Sequence, residues 1–93
     1  MRMRVPMSDV DGARLIYFAA PAVWSERIMS DWMAGELRPT SELFASGVAY
    51  PVVSTQTTFH APLRQDDLVD LVFGCMRVGR TSFTVRTLSL IHI

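Results

Sequence analysis

The chain is 93 residues long, with 49% hydrophobic and 19% charged residues, and its nine basic and nine acidic residues cancel. This is enough apolar material for one small core but not two domains, and it excludes wholesale disorder. The balanced charge argues against a general binder of nucleic acid or anionic membrane, and a single cysteine, Cys75, excludes a disulfide framework or a cysteine zinc cage.

All the basic residues are arginine. No apolar run approaches the roughly 18 residues of a membrane span. The start, Met1-Arg2-Met3-Arg4-Val5-Pro6, carries charge with no apolar stretch behind it, unlike a signal peptide. A reducing, cytoplasmic location is expected.

In chain order, Met3 to Ser8 is expected to form a short strand interrupted by Pro6, which cannot donate to a ladder and so belongs at a sheet edge or a strand end. Ser8-Asp9-Val10-Asp11-Gly12 is polar and turn-prone. Pro21 suits the first turn of a helix, where its missing N–H costs nothing. The helix is predicted from Pro21 to about Gly35, with Trp24, Ile28, Met29, Trp32 and Met33 as one apolar stripe. A helix this apolar needs a large cover, most simply a sheet wrapped around it. Pro39 to Gly47 reads as a connector with one helical turn, Ser41 to Ala45.

From Tyr50 the period changes to two. Val53, Thr55, Thr57 and Phe59 share one face of a predicted strand ending at His60. Residues 61–67 form a loop. Leu68 to Val78 is the next strand, with Val69, Leu71, Phe73 and Cys75 on one face, and Gly79-Arg80 makes a tight turn. Thr81 to about Ile91 is the last strand. Its apolar face switches between Phe83/Val85 and Leu88/Leu90, which predicts a bulge or burial on both sides. The apolar ending Leu88-Ser89-Leu90-Ile91-His92-Ile93 has no turn or polar tail, so a fragment or a non-native end is expected.

Several chemical motifs are excluded by context. Gly74 to Thr81 superficially resembles a phosphate loop, but that chemistry needs strand–loop–helix, and strand flanks this segment on both sides. His60 and His92 have no ligand cluster around them, so no metal is implied. A Gly-x-Ser-x-Gly elbow is absent. Cys75 on an alternating apolar face is expected to be a buried, inert thiol.

The informative pair is Asp9 and Asp11, in the loop that leads to the long helix. A partly desolvated carboxylate there can act as nucleophile or general base, and helix-start N–H groups can polarise a carbonyl. The competing reading is that both are turn or capping residues. Glu26, one turn into the helix, is either a solvated acid or part of a pocket wall. Arg77 and Arg80, with Ser82 nearby, form either a solvated turn or an anion-binding rim.

The order strand, Asp-containing loop, long helix, connector and long strands resembles the hotdog fold, an α+β antiparallel sheet wrapped around one central helix. Ser8 to Phe18 resembles the opening motif of the 4-hydroxybenzoyl-CoA thioesterase family. Tyr50-Pro51-Val52-Val53-Ser54 and Thr58 to Leu68 resemble that family's second strand and following loop, and Val78 to Phe83 its next hairpin. The resemblance covers about residues 4 to 90.

It implies hydrolysis of an acyl-CoA thioester with no cofactor. By this resemblance Asp11 matches the catalytic carboxylate, as nucleophile or general base, and Phe18 the position whose backbone N–H polarises the thioester carbonyl. Arg80 and Ser82 fall on a hairpin that contacts CoA phosphates, and Glu26 on a position that can face the acyl group. It further implies a homodimer or homotetramer with sites between subunits, joined along Val52–His60.

The chain departs from the family at Arg14, where many relatives carry Gly, and in lacking a Gly-His-x-Asn step. Hydroxybenzoyl-CoA is therefore not assigned as substrate. The family's final strand, which lies inside the sheet, is also missing, and without it neighbouring backbone groups would be left unpaired. The alternatives are a non-catalytic hotdog module that binds acyl-CoA, and a hotdog dehydratase or hydratase. The latter is disfavoured because the helix has no His.

Overall fold

The computed structural model describes residues 1–91; His92 and Ile93, the end of the apolar run, lie outside the described residues. Among the described residues the sheet has three antiparallel strands in the order β1 (Arg2–Arg4), β2 (Leu68–Val78) and β3 (Phe83–Ile91). Helix α1 (Ala20–Glu36) lies against it, and a short helix α2 (Thr40–Ala45) follows. This is the expected hotdog arrangement of helix on antiparallel sheet.

β1 is shorter than the predicted Met3–Ser8. Met3 pairs with Val69 and Arg4 with Leu68, and Val5 continues the ladder by donating to Asp67 O at 2.8 Å. Pro6, with no N–H, then ends it, and Met7–Asp9 form a turn of 3-10 helix. The predicted α1 is right to within one residue at each end. Pro21 sits in its first turn, and Gly35 falls inside the last turn, with Leu37 after the end.

The core cluster is Val5, Ala20, Trp24, Ile28, Leu63, Val69 and Leu71. Ala20, Trp24 and Ile28 recur at four-residue spacing, so they form one line along α1. Removing a side chain the size of Leu71 from water stabilises the fold by about 1.5–3 kcal/mol. The predicted stripe is only partly buried. Met33 is covered, Met29 is half-buried, and Trp32 remains 40% exposed, touching Phe73 ring to ring at 5.6 Å.

β2 matches its predicted range. Val69 and Leu71 are buried and Phe73 half-buried, but Cys75 is exposed, which corrects the expectation of a buried thiol. α1 does not cover this stretch. The predicted irregularity of β3 lies on its partner: Met76 is the extra residue between Cys75 and Arg77 of β2. Leu88 and Leu90 are 39% and 51% exposed, so β3 is not buried on both faces. The hairpin closes with Gly79 N–H on Ser82 O at 2.7 Å. A Cβ on Gly79 would sit 3.3 Å from that oxygen, so the turn suits glycine.

The predicted strand Val52–His60 is not a strand in this chain. Residues 51–60 are exposed and join no ladder among the described residues. The segment hangs between two anchors. Tyr50 contacts Phe44 and Phe83 through ring pairs, and Leu63 is buried in the core. Alternating residues favour a strand only when a neighbouring strand is there to pair and pack with, and none is among the described residues.

Candidate active site

The loop between β1 and α1 is folded back on itself. Val10 and Ile16 form an isolated antiparallel bridge. Tyr17 N–H donates to Asp9 O at 2.7 Å, and Asp11 N–H to Leu15 O at 3.1 Å. Ile16 N–H donates to Leu63 O at 3.0 Å, which ties the loop to the segment entering β2. Arg14 takes a positive φ of 64° at the tip, a left-handed conformation that favours Gly.

Asp11 is exposed on this loop and shapes its turn. Its Oδ1 accepts Ala13 N–H at 2.8 Å, its carbonyl accepts Arg14 N–H at 3.0 Å, and its Oδ2 is unengaged among the described residues. The turn role weighed in the sequence is therefore real, and it leaves one carboxylate oxygen open.

Phe18 lies where the chain enters α1. Ala20 N–H donates to Tyr17 O at 2.9 Å, whereas Phe18 N–H meets no acceptor among the described residues. Such a free N–H at a helix start is available to a carbonyl. Tyr17 and Phe18, ring centroids 4.5 Å apart, form an exposed aromatic lip beside it.

Asp9 behaves differently from Asp11. Its Oδ2 accepts the indole N–H of Trp24 at 2.8 Å, and Trp24 is only 2% exposed. A hydrogen bond to a charged group contributes about 1.5–3 kcal/mol, and deleting the acceptor would strand a buried donor. The sequence reading did not reach this pairing. The signal was present, because a Trp on a core-facing stripe needs an acceptor for its N–H.

The other candidates do not converge on Asp11. Glu26 is exposed on α1 and accepts Ser30 Oγ–H at 2.6 Å. Arg80 and Ser82 lie in the exposed turn of the β2–β3 hairpin. β1 and the Asp11 loop sit at the Leu68 end of β2, and the hairpin turn is at its Val78 end. An eleven-residue strand spans roughly 35 Å, set against a longest molecular dimension of 42 Å. No hydrogen bond or ion pair among the described residues joins Asp11 to Glu26, Arg80 or Ser82.

Two open clefts flank this framework. One, of about 330 Å³, adjoins the Asp11 loop through Leu15 and Ile16 and is walled by Phe59, His60 and Pro62. The other, of about 460 Å³, lies between Trp32 on α1 and Leu71–Phe73 on β2. The first brings the predicted Val52–His60 segment to the loop, a proximity the sequence did not reveal. Among the described residues no helix is long and apolar enough to cross a membrane.

Comparison with known proteins places this framework. Among the solved structures that match, three superpose over 98% of the chain. They are the BH1999 gentisyl-coenzyme A thioesterase (TM-score 0.88, 23% identity), the hypothetical protein AQ1494 from Aquifex aeolicus (0.92, 16%) and the hypothetical protein TT1821 from Thermus thermophilus (0.89, 23%). The chain covers 75%, 74% and 70% of their respective lengths. At these identities the likeness establishes the shared hotdog fold. No curated protein matches the chain in sequence. The family model of the thioesterase superfamily matches residues 14–88, which take in α1, α2, β2, the hairpin turn and β3 as far as Leu88, and the chain therefore belongs to the thioesterase superfamily.

Proposed function

We propose that this protein hydrolyses an acyl-CoA thioester to a free acid and CoA, with Asp11 as the reacting carboxylate. The observation that carries this reading is local. One hydrogen-bonded loop holds a carboxylate with an open oxygen and leads directly to an unpaired helix-start N–H at Phe18. Membership of the thioesterase superfamily, and the shared fold with a gentisyl-coenzyme A thioesterase, support the reaction class.

In this reading the Phe18 N–H stabilises negative charge as it develops on the thioester oxygen. Asp11 takes one of two parts. As nucleophile, its oxygen bonds to the carbonyl carbon, the C–S bond breaks, CoA thiolate leaves and takes a proton, and water then cleaves the mixed anhydride. As general base, it removes a proton from water, which attacks the same carbon, and the proton passes to the departing sulfur. Both routes consume one water and yield the acid and CoA thiol. In single-turnover hydrolysis in labelled water, a nucleophilic route whose anhydride is cleaved at the Asp11 carbonyl puts unlabelled Asp11 oxygen into the product and the label into Asp11, whereas the general-base route labels the product.

Arg80 and Ser82 supply cationic and hydroxyl contacts for CoA phosphates in this proposal, and Glu26 faces the acyl group. The distance of Arg80 and Ser82 from Asp11 within one chain fits a homo-oligomer in which the hairpin of one copy reaches the loop of its partner. Residues 52–60, which have no sheet neighbour among the described residues, are the edge along which copies would join.

The deciding test is thiol release from a panel of aliphatic and aromatic acyl-CoAs, gentisyl-CoA included, with Asp11→Asn alongside. Turnover lost in the variant supports the reading, and turnover retained removes Asp11 from it. The turn-forming hydrogen bonds of Asp11 favour a second reading, an acyl-CoA-binding module in which Asp11 has only a structural role. Thermal stabilisation by acyl-CoA without thiol release would establish that module.

A further inference from the structure

The one side-chain hydrogen bond joining the β1–α1 loop to α1 among the described residues is that from Trp24 to Asp9, spanning fifteen positions. Trp24 is locked in the core beside Val5, Val69 and Leu71, so its indole N–H is a fixed point. Asp9 hangs the loop on that point twice over. Its side chain meets the indole, and its own carbonyl accepts the N–H of Tyr17 at 2.7 Å on the opposite limb. Two residues beyond Asp9 along one limb lies Asp11. One residue beyond Tyr17 on the other lies Phe18.

We infer that Asp9 is a positioning residue, which through Trp24 sets the separation between the Asp11 carboxylate and the Phe18 N–H. The inference rests on the reading of those two groups as the reacting pair. The loop has other ties, the Val10–Ile16 bridge and the Ile16 N–H on Leu63 O, but neither is a bond to α1. Asp11 and Phe18 are both exposed, and the tip is held only by backbone and turn hydrogen bonds. A reacting group displaced by about 1 Å loses roughly a hundredfold in rate, so a tether at the loop's base acts on turnover more than on affinity.

The test uses three variants. Asp9→Ala deletes the acceptor, Trp24→Phe deletes the donor but keeps a ring, and Asp9→Asn keeps an oxygen that can accept the indole N–H. Asp9→Ala and Trp24→Phe are expected to lower kcat by about 10–100-fold with KM within about twofold, and Asp9→Asn to recover kcat to within about threefold of the parent. The double variant should be no worse than the poorer single one, because both remove the same bond.

Parent-like kcat in Asp9→Ala, an Asp9→Asn as impaired as Asp9→Ala, or a loss confined to KM would each overturn the inference. Circular dichroism checks that each variant is folded, and Asp9→Asn carries the decision if Trp24→Phe is not. If the parent itself releases no thiol, the catalytic reading has failed, and the tether is judged by NMR. The Phe18 amide resonance must then move in Asp9→Ala and stay in place in Asp9→Asn, and an unmoved amide overturns the tether as well.

Discussion

The two ends of β2 are built from similar residues and have opposite fates. At the Leu68 end, Val69 and Leu71 are 0% and 2% exposed, covered by β1, Val5 and Trp24. At the other end, past the bulge that interrupts the alternation, Met76 and Val78 are 59% and 78% exposed. The difference lies in what stands opposite. β1 pairs with Leu68, Val69 and Asp70, and beyond them β3 is the strand's only ladder partner among the described residues. Apolar alternation thus marks a face that can be buried, and the number of layers available decides whether it is. The candidate chemistry divides along the same line, with the carboxylate and the free N–H at the packed end and the arginine-bearing turn at the open one.

Breaking the packed end where the chemistry lies should have the largest effect. Asp11→Asn is expected to lower kcat for acyl-CoA hydrolysis by at least about a thousandfold, or roughly 4 kcal/mol in barrier, with an unchanged far-ultraviolet dichroism spectrum. Turnover within tenfold of the parent would move the reaction elsewhere.

The comparison itself is sharpened by paired truncations along one strand. Leu71→Ala should cost about 2–5 kcal/mol in urea unfolding, through lost burial and a residual cavity. Val78→Ala at the open end should change stability by no more than about 0.5 kcal/mol. Equal losses would show that the open end is covered in solution.

At the hairpin turn, Arg80→Ala is expected to raise KM for acyl-CoA about tenfold with little change in kcat, because it removes binding common to ground and transition states. Mixing Asp11→Asn with Arg80→Ala should restore turnover at low substrate if one copy's hairpin serves its partner's loop. No gain on mixing would confine each site to one chain.

The smallest effect is expected at the Arg2–Asp70 pair. The two are bonded at 2.8 Å across β1 and β2, and the hydrogen bond and charge of Asp70 raise the Arg2 pKa above its ordinary value. A raised base stabilises the fold below its unfolded pKa, and that contribution is lost only as pH climbs through the folded value, well into the alkaline range. Between pH 5 and 9 Arg2→Ala should therefore change the pH dependence of melting negligibly. Any small loss in Tm should shrink with added salt, because the pair is exposed.

Periodicity and punctuation alone determined much of this protein. Pro21 and the Trp24–Ile28 spacing specify α1, Leu68 to Val78 alternates at a strand's period, Gly79 marks the hairpin turn, and Pro6 announces the end of β1. The loop was legible as an acidic turn before a helix, and resemblance singled out Asp11 and Phe18 within it. Each of these depends on neighbours a few residues apart, for which sequence is a direct record.

Other features depend on what lies across space. Only the tertiary structure decided that Cys75 is bare, that Trp32 stays half in solvent, and that residues 52–60 form no ladder. It also turned two similar aspartates into different groups, one holding a buried indole and the other open to solvent. Burial and pairing are properties of two surfaces meeting, and a local pattern describes only one of them.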